Sequence, residues 1–437
     1  MTFEVATNID DAFRACNPDT PLPAGDPRYT ELSRVRGEYT KIIDSINRSI
    51  NRSNDSHSKF VISGHRGCGK STELLRLQKE LLDERYFCVY FDVGEPLDLA
   101  DISYIDVFIS MVEAVVADLN ASKIDFDAKY VETLLNWFND KVINEQISQN
   151  NIDGGIKASA EVNNGLPLFA KIMASFTGEI KHSSTKRETI RREVEKKASE
   201  FILQINEFFS AVARTLHNGK GNKNYKDLVI ITDGLEKIIY RNYEDGNNSH
   251  TDLFIKHADQ LKALRCHVIY TMPISLAYQS NINHDFAQSH ILPMVKMNEE
   301  GKNKLVELVG KRINIPMVFD NPALVNQLVD VCGGVTRDLM RLIRLATDTD
   351  EPKITQVQVD YAISTLAKEY DRLIKQSDIE LLKKVYENNR VSIDDDRTNI
   401  LLLNRIILEY ENGQRSAKIH PALLKVKWIT DALTINP

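Results

Sequence analysis

Gly64-His65-Arg66-Gly67-Cys68-Gly69-Lys70-Ser71 lies between the apolar run Phe60-Val61-Ile62-Ser63 and the helix-forming stretch Thr72-Glu73-Leu74-Leu75-Arg76-Leu77. Strand, glycine loop and helix, in that order, are what a phosphate-binding loop requires. The glycines let the backbone wrap closely around a polyphosphate and turn its amide protons inward. The N-terminus of the following helix adds favourable partial charge at the same point. In this reading Gly64 to Thr72 hold the phosphates, Lys70 reaches the β- and γ-phosphates, and the Ser71 hydroxyl faces Mg²⁺.

The bulk composition is that of an ordinary globular protein: 437 residues, 42% apolar and 27% charged. That length suggests about two to four domains. A net charge of −7 argues against a protein that coats nucleic acid by electrostatics alone. The five cysteines, Cys16, Cys68, Cys88, Cys266 and Cys332, are scattered and form no Cys-x-x-Cys pair, so neither a disulfide framework nor a zinc site is indicated. Met1 to Phe13 is acidic without an apolar segment, and no run is long enough to span a membrane, so a cytoplasmic location without a membrane partner is expected.

Outward from the loop, residues 1–59 read as an N-terminal arm and helix. A proline-rich segment from Asn17 to Tyr29 leads into a charged helix from Glu31 to Ser49 and a polar linker from Asn51 to Ser58. Arg28 and Tyr29 are candidates to stack on or hydrogen-bond a base, or to pack as part of a surface arm. Residues 60–297 read as the core, with an insertion at about 121–217. Tyr86 to Val93 is a buried strand, followed by a helix from Tyr104 to Leu119. Within the insertion, Lys157 to Val162 and Phe169 to Phe176 alternate around Asn163-Asn164-Gly165 as a hairpin would. Ser183 to Leu216 reads as one long helix. Its Lys186, Arg187, Arg191, Arg192, Lys196 and Lys197 interleave with Glu188, Glu193, Glu195 and Glu200, as either a solvated, internally paired face or a contact surface.

The apolar strand Leu228 to Asp233 ends in the carboxylate that a nucleotide site uses for Mg²⁺, and Glu236 is placed to deprotonate an attacking water. A further strand, Cys266 to Pro273, brings Thr271 to the same sheet edge, either to sense a γ-phosphate or to cap its own strand. Residues 298–376 read as a helical lid, with helices near Asn298 to Ile313, Pro322 to Cys332, Val335 to Thr347 and Thr355 to Gln376. Arg337 falls in a first helical turn, an unfavourable place for a cation unless an anion lies opposite. A γ-phosphate or a neighbouring carboxylate such as Asp338 meets that need. Residues 377–437 read as a small module with helices near Ser377 to Glu387 and Asn399 to Leu403 and a hairpin joining Ile406-Tyr410 to Arg415-Ile419. The run Asp394-Asp395-Asp396 would repel a phosphate backbone, which favours a protein-contact or structural role for it.

The stretches Gly64-His65-Arg66-Gly67-Cys68-Gly69-Lys70-Ser71-Thr72, Leu228 to Lys237, His267 to Pro273 and Cys332 to Ile343 together resemble the AAA+ ATPases. The likeness is to the branch containing archaeal origin-recognition initiators, with features similar to the STAND signalling ATPases. It implies an α/β fold: a P-loop (ASCE/AAA+) parallel-sheet core with a helical lid and a small C-terminal winged-helix-like module. It further implies ATP and Mg²⁺ as ligands, Ser71 and Asp233 at the metal, and Lys70, Glu236, Thr271 and Arg337 as phosphate lysine, catalytic base and the two sensors. The activity implied is an ATPase switch that assembles with itself or with a protein effector, as in bacterial anti-phage systems. A DNA-binding initiator or transposition-type regulator and a scaffold that holds ATP without hydrolysing it are the alternatives. Asp233-Gly234 departs from the usual Asp-Glu pair and resembles the STAND form. No arginine occupies the usual finger region, here His284 to Pro293, which leaves Arg241 or Arg265 as substitutes. Cys68 in the loop is either a permissive position or an oxidation-sensitive one. Lys70→Ala is expected to abolish nucleotide binding, and retained ATP affinity in a fluorescence titration would remove the phosphate-loop assignment.

Overall fold

The computed structural model describes residues 3–37, 41–53, 56–138, 140, 184–219, 224–244, 246–279, 282–286, 288–391, 396–411 and 415–434. The hairpin expected within 157–176 lies outside these residues. Five parallel strands form the central sheet: β1 (Lys59–Ser63), β2 (Phe87–Asp92), β3 (Leu228–Asp233), β4 (His267–Met272) and β5 (Gln288–Ile291), in the order β2-β3-β4-β1-β5. β4 therefore stands between β1 and β3, and three chemically distinct strand ends, Ser63, Met272 and Asp233, lie side by side. In parallel α/β sheets the ligand crevice lies outside these carboxyl ends.

Both faces of the sheet are covered, as its nearly unbroken apolar strands require. Side chains alternate between faces, so Phe60, Ile62, Val229, Ile231 and Ile269 pack with Leu74, Leu77 and Leu81 of α3 (Lys70–Asp83) and Ile43, Ile46 and Ile50 of α2 (Ile42–Arg52). Val61, Val89, Ile230 and Val268 form the opposite core with α4 (Tyr104–Ala121), which starts on a Ser103–Asp106 capping box, and with helices of the insertion. One expectation is corrected here. Ser183 to Leu216 is not a single helix: α6 (Ser184–Glu195) and α7 (Ala198–His217) follow α5 (Ala128–Phe138) and are separated at Lys196-Lys197. The two halves answer to different partners. Arg187 and Arg191 of α6 are not a solvated face but are drawn onto Asp98, Asp101 and Asp106, whereas Phe201, Ile205, Phe208 and Phe209 of α7 enter the core.

The expected helix from Glu31 to Ser49 is likewise interrupted. A single turn, Ser33–Arg36, stops at Gly37 in the left-handed conformation (φ 88°), and the next helix, α2, runs on through Asn51 and Arg52 into the expected linker. The helices anticipated after β5 are α8 (Glu299–Gly310), α9 (Leu324–Val331), α10 (Thr336–Ala346) and α11 (Gln356–Asp371), with a single unanticipated turn, Ile315–Val318, between α8 and α9. Next come α12 (Ile379–Asn388), α13 (Asp396–Leu403), the antiparallel pair β6 (Ile407–Glu411) and β7 (Arg415–Ile419), and α14 (Lys427–Thr434). Side chains from all of these, and from the N-terminal α1 (Ile9–Ala15), share one continuous apolar core.

At the seam between α10, α11 and β6 the fully buried Asp338 accepts from the Tyr370 hydroxyl and lies 3.3 Å from His420 Nε2 and 3.6 Å from a guanidinium nitrogen of Arg405. Burial alone would raise its carboxyl, but the Arg405 cation and the His420 and Tyr370 donors hold it well below the usual range. Asp338→Ala would leave the half-buried Arg405 without this counter-ion. The expected cost is about 3 kcal/mol, read as a lower urea midpoint; an unchanged midpoint would show that the network contributes nothing to stability.

Candidate functional site

The phosphate loop leaves β1 at Ser63 and enters α3 at Lys70, with Gly69 in the left-handed region (φ 101°) as the helix cap. Gly67 (φ 81°) leaves no room for a side chain, because a Cβ there would stand 2.6 Å from Cβ of Arg337. Lys70 is buried, and its ammonium donates to the carbonyls of Gly64 (2.8 Å) and His65 (3.1 Å) and stands 3.6 Å from Glu236 Oε1.

Asp233 ends β3 fully buried. Its Oδ1 accepts from the Gly234 amide at 2.8 Å and its Oδ2 from the Tyr90 hydroxyl at 2.6 Å, and the Ser71 hydroxyl lies close enough to favour its charged form. Gly234 (φ 89°) is the turn that brings Glu236 back over the loop; a side chain there would strike Asp92. Burial and the neighbouring Glu236 charge push the Asp233 carboxyl upward. For Glu236, burial acts in the same sense but the Lys70 ammonium and the Thr271 hydroxyl outweigh it, and its carboxyl is lowered. Its Oε2 has no partner among the described residues.

Thr271 is fully buried at the end of β4, and its hydroxyl accepts from the Leu235 amide at 3.0 Å and so braces the turn carrying Glu236. Two loop side chains also face away from the cleft. Cys68 packs with Leu292, Val335 and Leu408 in a small apolar cluster, which shields it from oxidants. The His65 ring accepts at Nε2 from the Glu409 amide of β6 (3.0 Å), while its other nitrogen faces the Leu402 carbonyl. Burial, with the Lys70 charge adding, holds the His65 imidazole down at about 3, so it is neutral and able to accept.

α10 meets the loop end-on. The Gly67 carbonyl accepts from Thr336 Oγ1 (2.8 Å) and from the Arg337 amide (3.1 Å). The Arg337 guanidinium lines the cleft, but its partner is the proline-rich segment: it donates to the Pro18 carbonyl and to Asp19 Oδ1, both at 3.1 Å. That segment also ties to α3, with the Leu22 amide donating to Thr72 Oγ1 at 3.2 Å. Arg28 is paired with Asp26, and one face of the Tyr29 ring carries the Arg76 guanidinium at 4.3 Å, so that face is closed to a base. Arg241 leans toward Asp101, the Arg265 amide donates to Asn206, and neither residue lines the cleft. Asp396, expected to repel anions, accepts from Tyr240 and Asn242 of the segment after Glu236.

Sequence reasoning passed over Arg36 and Tyr90, and took Arg66 only as one member of the loop. Arg36 is buried beside the loop, donates to the Cys68 carbonyl at 2.6 Å, and leaves Nη1 without a partner among the described residues. Arg66 leaves Nε bare in the same way and reaches the Glu236 carbonyl at 3.4 Å. Arg36 sits in a polar stretch with no helical periodicity to mark it, and no local signal separates it from a surface arginine. Together these groups line a cleft of about 630 Å³, within the size range of small-molecule sites. Arginines and lysines outnumber carboxylates seven to four along its lining, in a chain whose net charge is −7. Leu22, Leu32, Leu308 and Met340 contribute apolar lining.

No family model and no curated protein matches the chain. Among solved structures it is similar to a Walker-type ATPase of Pyrococcus abyssi, with 12% identity over 96% of this chain and 100% of that one and a TM-score of 0.40. It is similar also to Cdc6p from Pyrobaculum aerophilum (12% identity, 96% and 97% covered, TM-score 0.40) and to RuvB from Thermotoga maritima (11%, 91% and 94%, 0.37). The fold is an α/β fold: a five-stranded parallel sheet with helices on both faces and a glycine loop between β1 and α3. No helix among the described residues is long and apolar enough to cross a membrane. His65→Ala would leave the buried Glu409 amide unsatisfied, at an expected cost of about 1–3 kcal/mol. Faster hydrogen exchange at Leu408 to Tyr410 is the readout, and unchanged protection would mean that β6 does not depend on the loop.

Proposed function

We propose that this chain binds and hydrolyses ATP with Mg²⁺ and works as a conformational switch that assembles with a second copy or a protein effector. The observation that carries the reading is the cleft itself. A surplus of cations, two of them with bare buried N–H groups, surrounds a glycine loop in a chain of net negative charge. Buried donors left unpaired are costly, and a polyphosphate satisfies them. The apolar part of the lining suits a base.

Ser71 and Asp233 offer the hard oxygen donors that suit Mg²⁺, which commonly takes only one or two protein groups alongside phosphate oxygens. The metal, when bound, neutralises charge developing on the phosphates. Lys70 exchanges the Gly64 and His65 carbonyls for phosphate oxygens. Withdrawal of the ammonium from Glu236 then restores basicity to that carboxylate, which orients a water and accepts its proton. Arg337 must trade Asp19 for phosphate, so that α10 and the N-terminal segment both respond to the nucleotide.

The switch element is supported by the contacts of the loop. Gly67 holds α10, His65 holds β6, and Arg405, in the Asp338 network, reaches the Arg66 carbonyl at 3.5 Å. A phosphate that reshapes the loop reshapes the seat of the C-terminal hairpin. Glu236→Gln is expected to keep ATP affinity and to slow phosphate release by about 10² or more. Wild-type rates in a malachite-green assay would move the base role elsewhere.

A further inference from the structure

Tyr90 is the one cleft-lining tyrosine whose hydroxyl meets both groups that face the metal. It donates to Asp233 Oδ2 at 2.6 Å and lies beside the Ser71 hydroxyl, which lines the same cleft. The register of the sheet explains the reach. Tyr90 on β2 lies opposite Ile231 on β3, so Asp233, two residues further along, is its diagonal neighbour on the same face, a separation that an aromatic side chain spans. Asp233 itself is fully buried, whereas Ser71 and Tyr90 line the cleft. A cation entering the site meets these two hydroxyls first, with the carboxylate directly behind.

We propose that Tyr90 is a positioning residue for the divalent cation. Its hydroxyl fixes the rotamer of the Asp233 carboxylate and its spacing from Ser71, and so sets the affinity for Mg²⁺ in the nucleotide complex. The other Asp233 oxygen is already taken by the Gly234 amide. Without Tyr90 the carboxylate keeps a single fixed contact to its own turn and is free to rotate away from Ser71. Outer-shell hydrogen bonds of this kind orient metal-facing carboxylates. A ring that only filled space between β2 and the loop would work as well as phenylalanine.

The inference rests on the nucleotide-binding reading above, and its test separates the two. The full-length chain and its Tyr90→Phe variant are titrated with a fluorescent ATP analogue, first in EDTA and then across a Mg²⁺ series. Metal-free affinity is expected to stay within about twofold of wild type, which also reports an intact fold, while the Mg²⁺ concentration for half-maximal enhancement rises about tenfold or more. An unchanged or lower Mg²⁺ midpoint overturns the inference and leaves the nucleotide site standing. Equal loss of affinity with and without Mg²⁺ overturns it as well, by assigning the ring to cleft shape. A wild-type chain that binds no nucleotide overturns the underlying reading and this inference together.

Discussion

The Gly67 carbonyl, accepting from both the Thr336 hydroxyl and the Arg337 amide, is the joint on which the rest of the molecule turns. It fastens the first turn of α10 to the apex of the loop. Glycine is required there for steric reasons as much as for its left-handed backbone, since the Arg337 Cβ occupies the space a side chain would need. A second joint, from the Glu409 amide to His65, fastens the C-terminal hairpin to the same loop from the other side. The loop is thus a three-way junction between sheet, α10 and hairpin. Movement of its backbone cannot stay local.

The electrostatics follow from that geometry. Lys70, Arg36, Arg66 and Arg337 converge on one cleft, and like charges at such distances repel unless something negative is held among them. Carbonyls of the loop and of Pro18, with Asp19 and Glu236, hold these cations. The Asp338 network is of another kind. Asp338 and His420 are fully buried, and with Tyr370 and Arg405 they join α10, α11 and the β6 region.

Much of this was legible along the chain. Leu228 to Asp233 and His267 to Met272 are short, almost wholly apolar runs, which only doubly covered strands tolerate, and α9 and α10 carry unmistakable periodicity. Where local reading failed, long-range partners had decided the outcome. Arg187 and Arg191 looked like a solvated face because Asp98, Asp101 and Asp106, roughly ninety residues away, cannot be paired with them by periodicity. The acceptance by the Thr271 hydroxyl from the Leu235 amide, on the turn after the neighbouring strand, could not be read from its own strand either.

The order of residues by itself determined that a glycine loop with Lys70 and Ser71 opens a helix after a buried strand, and that Asp233 and Thr271 end later strands. Those are properties of backbone conformation and burial, and short-range rules govern them. Only the tertiary structure decided that β4 enters between β1 and β3, that Tyr90 lies diagonal to Asp233, that Arg36 comes to rest against Cys68, and that His65 serves the hairpin and not the cleft. The reason is that strand register and the docking of distant segments depend on which surfaces bury each other best, a choice made across the whole core and written in no single stretch of it.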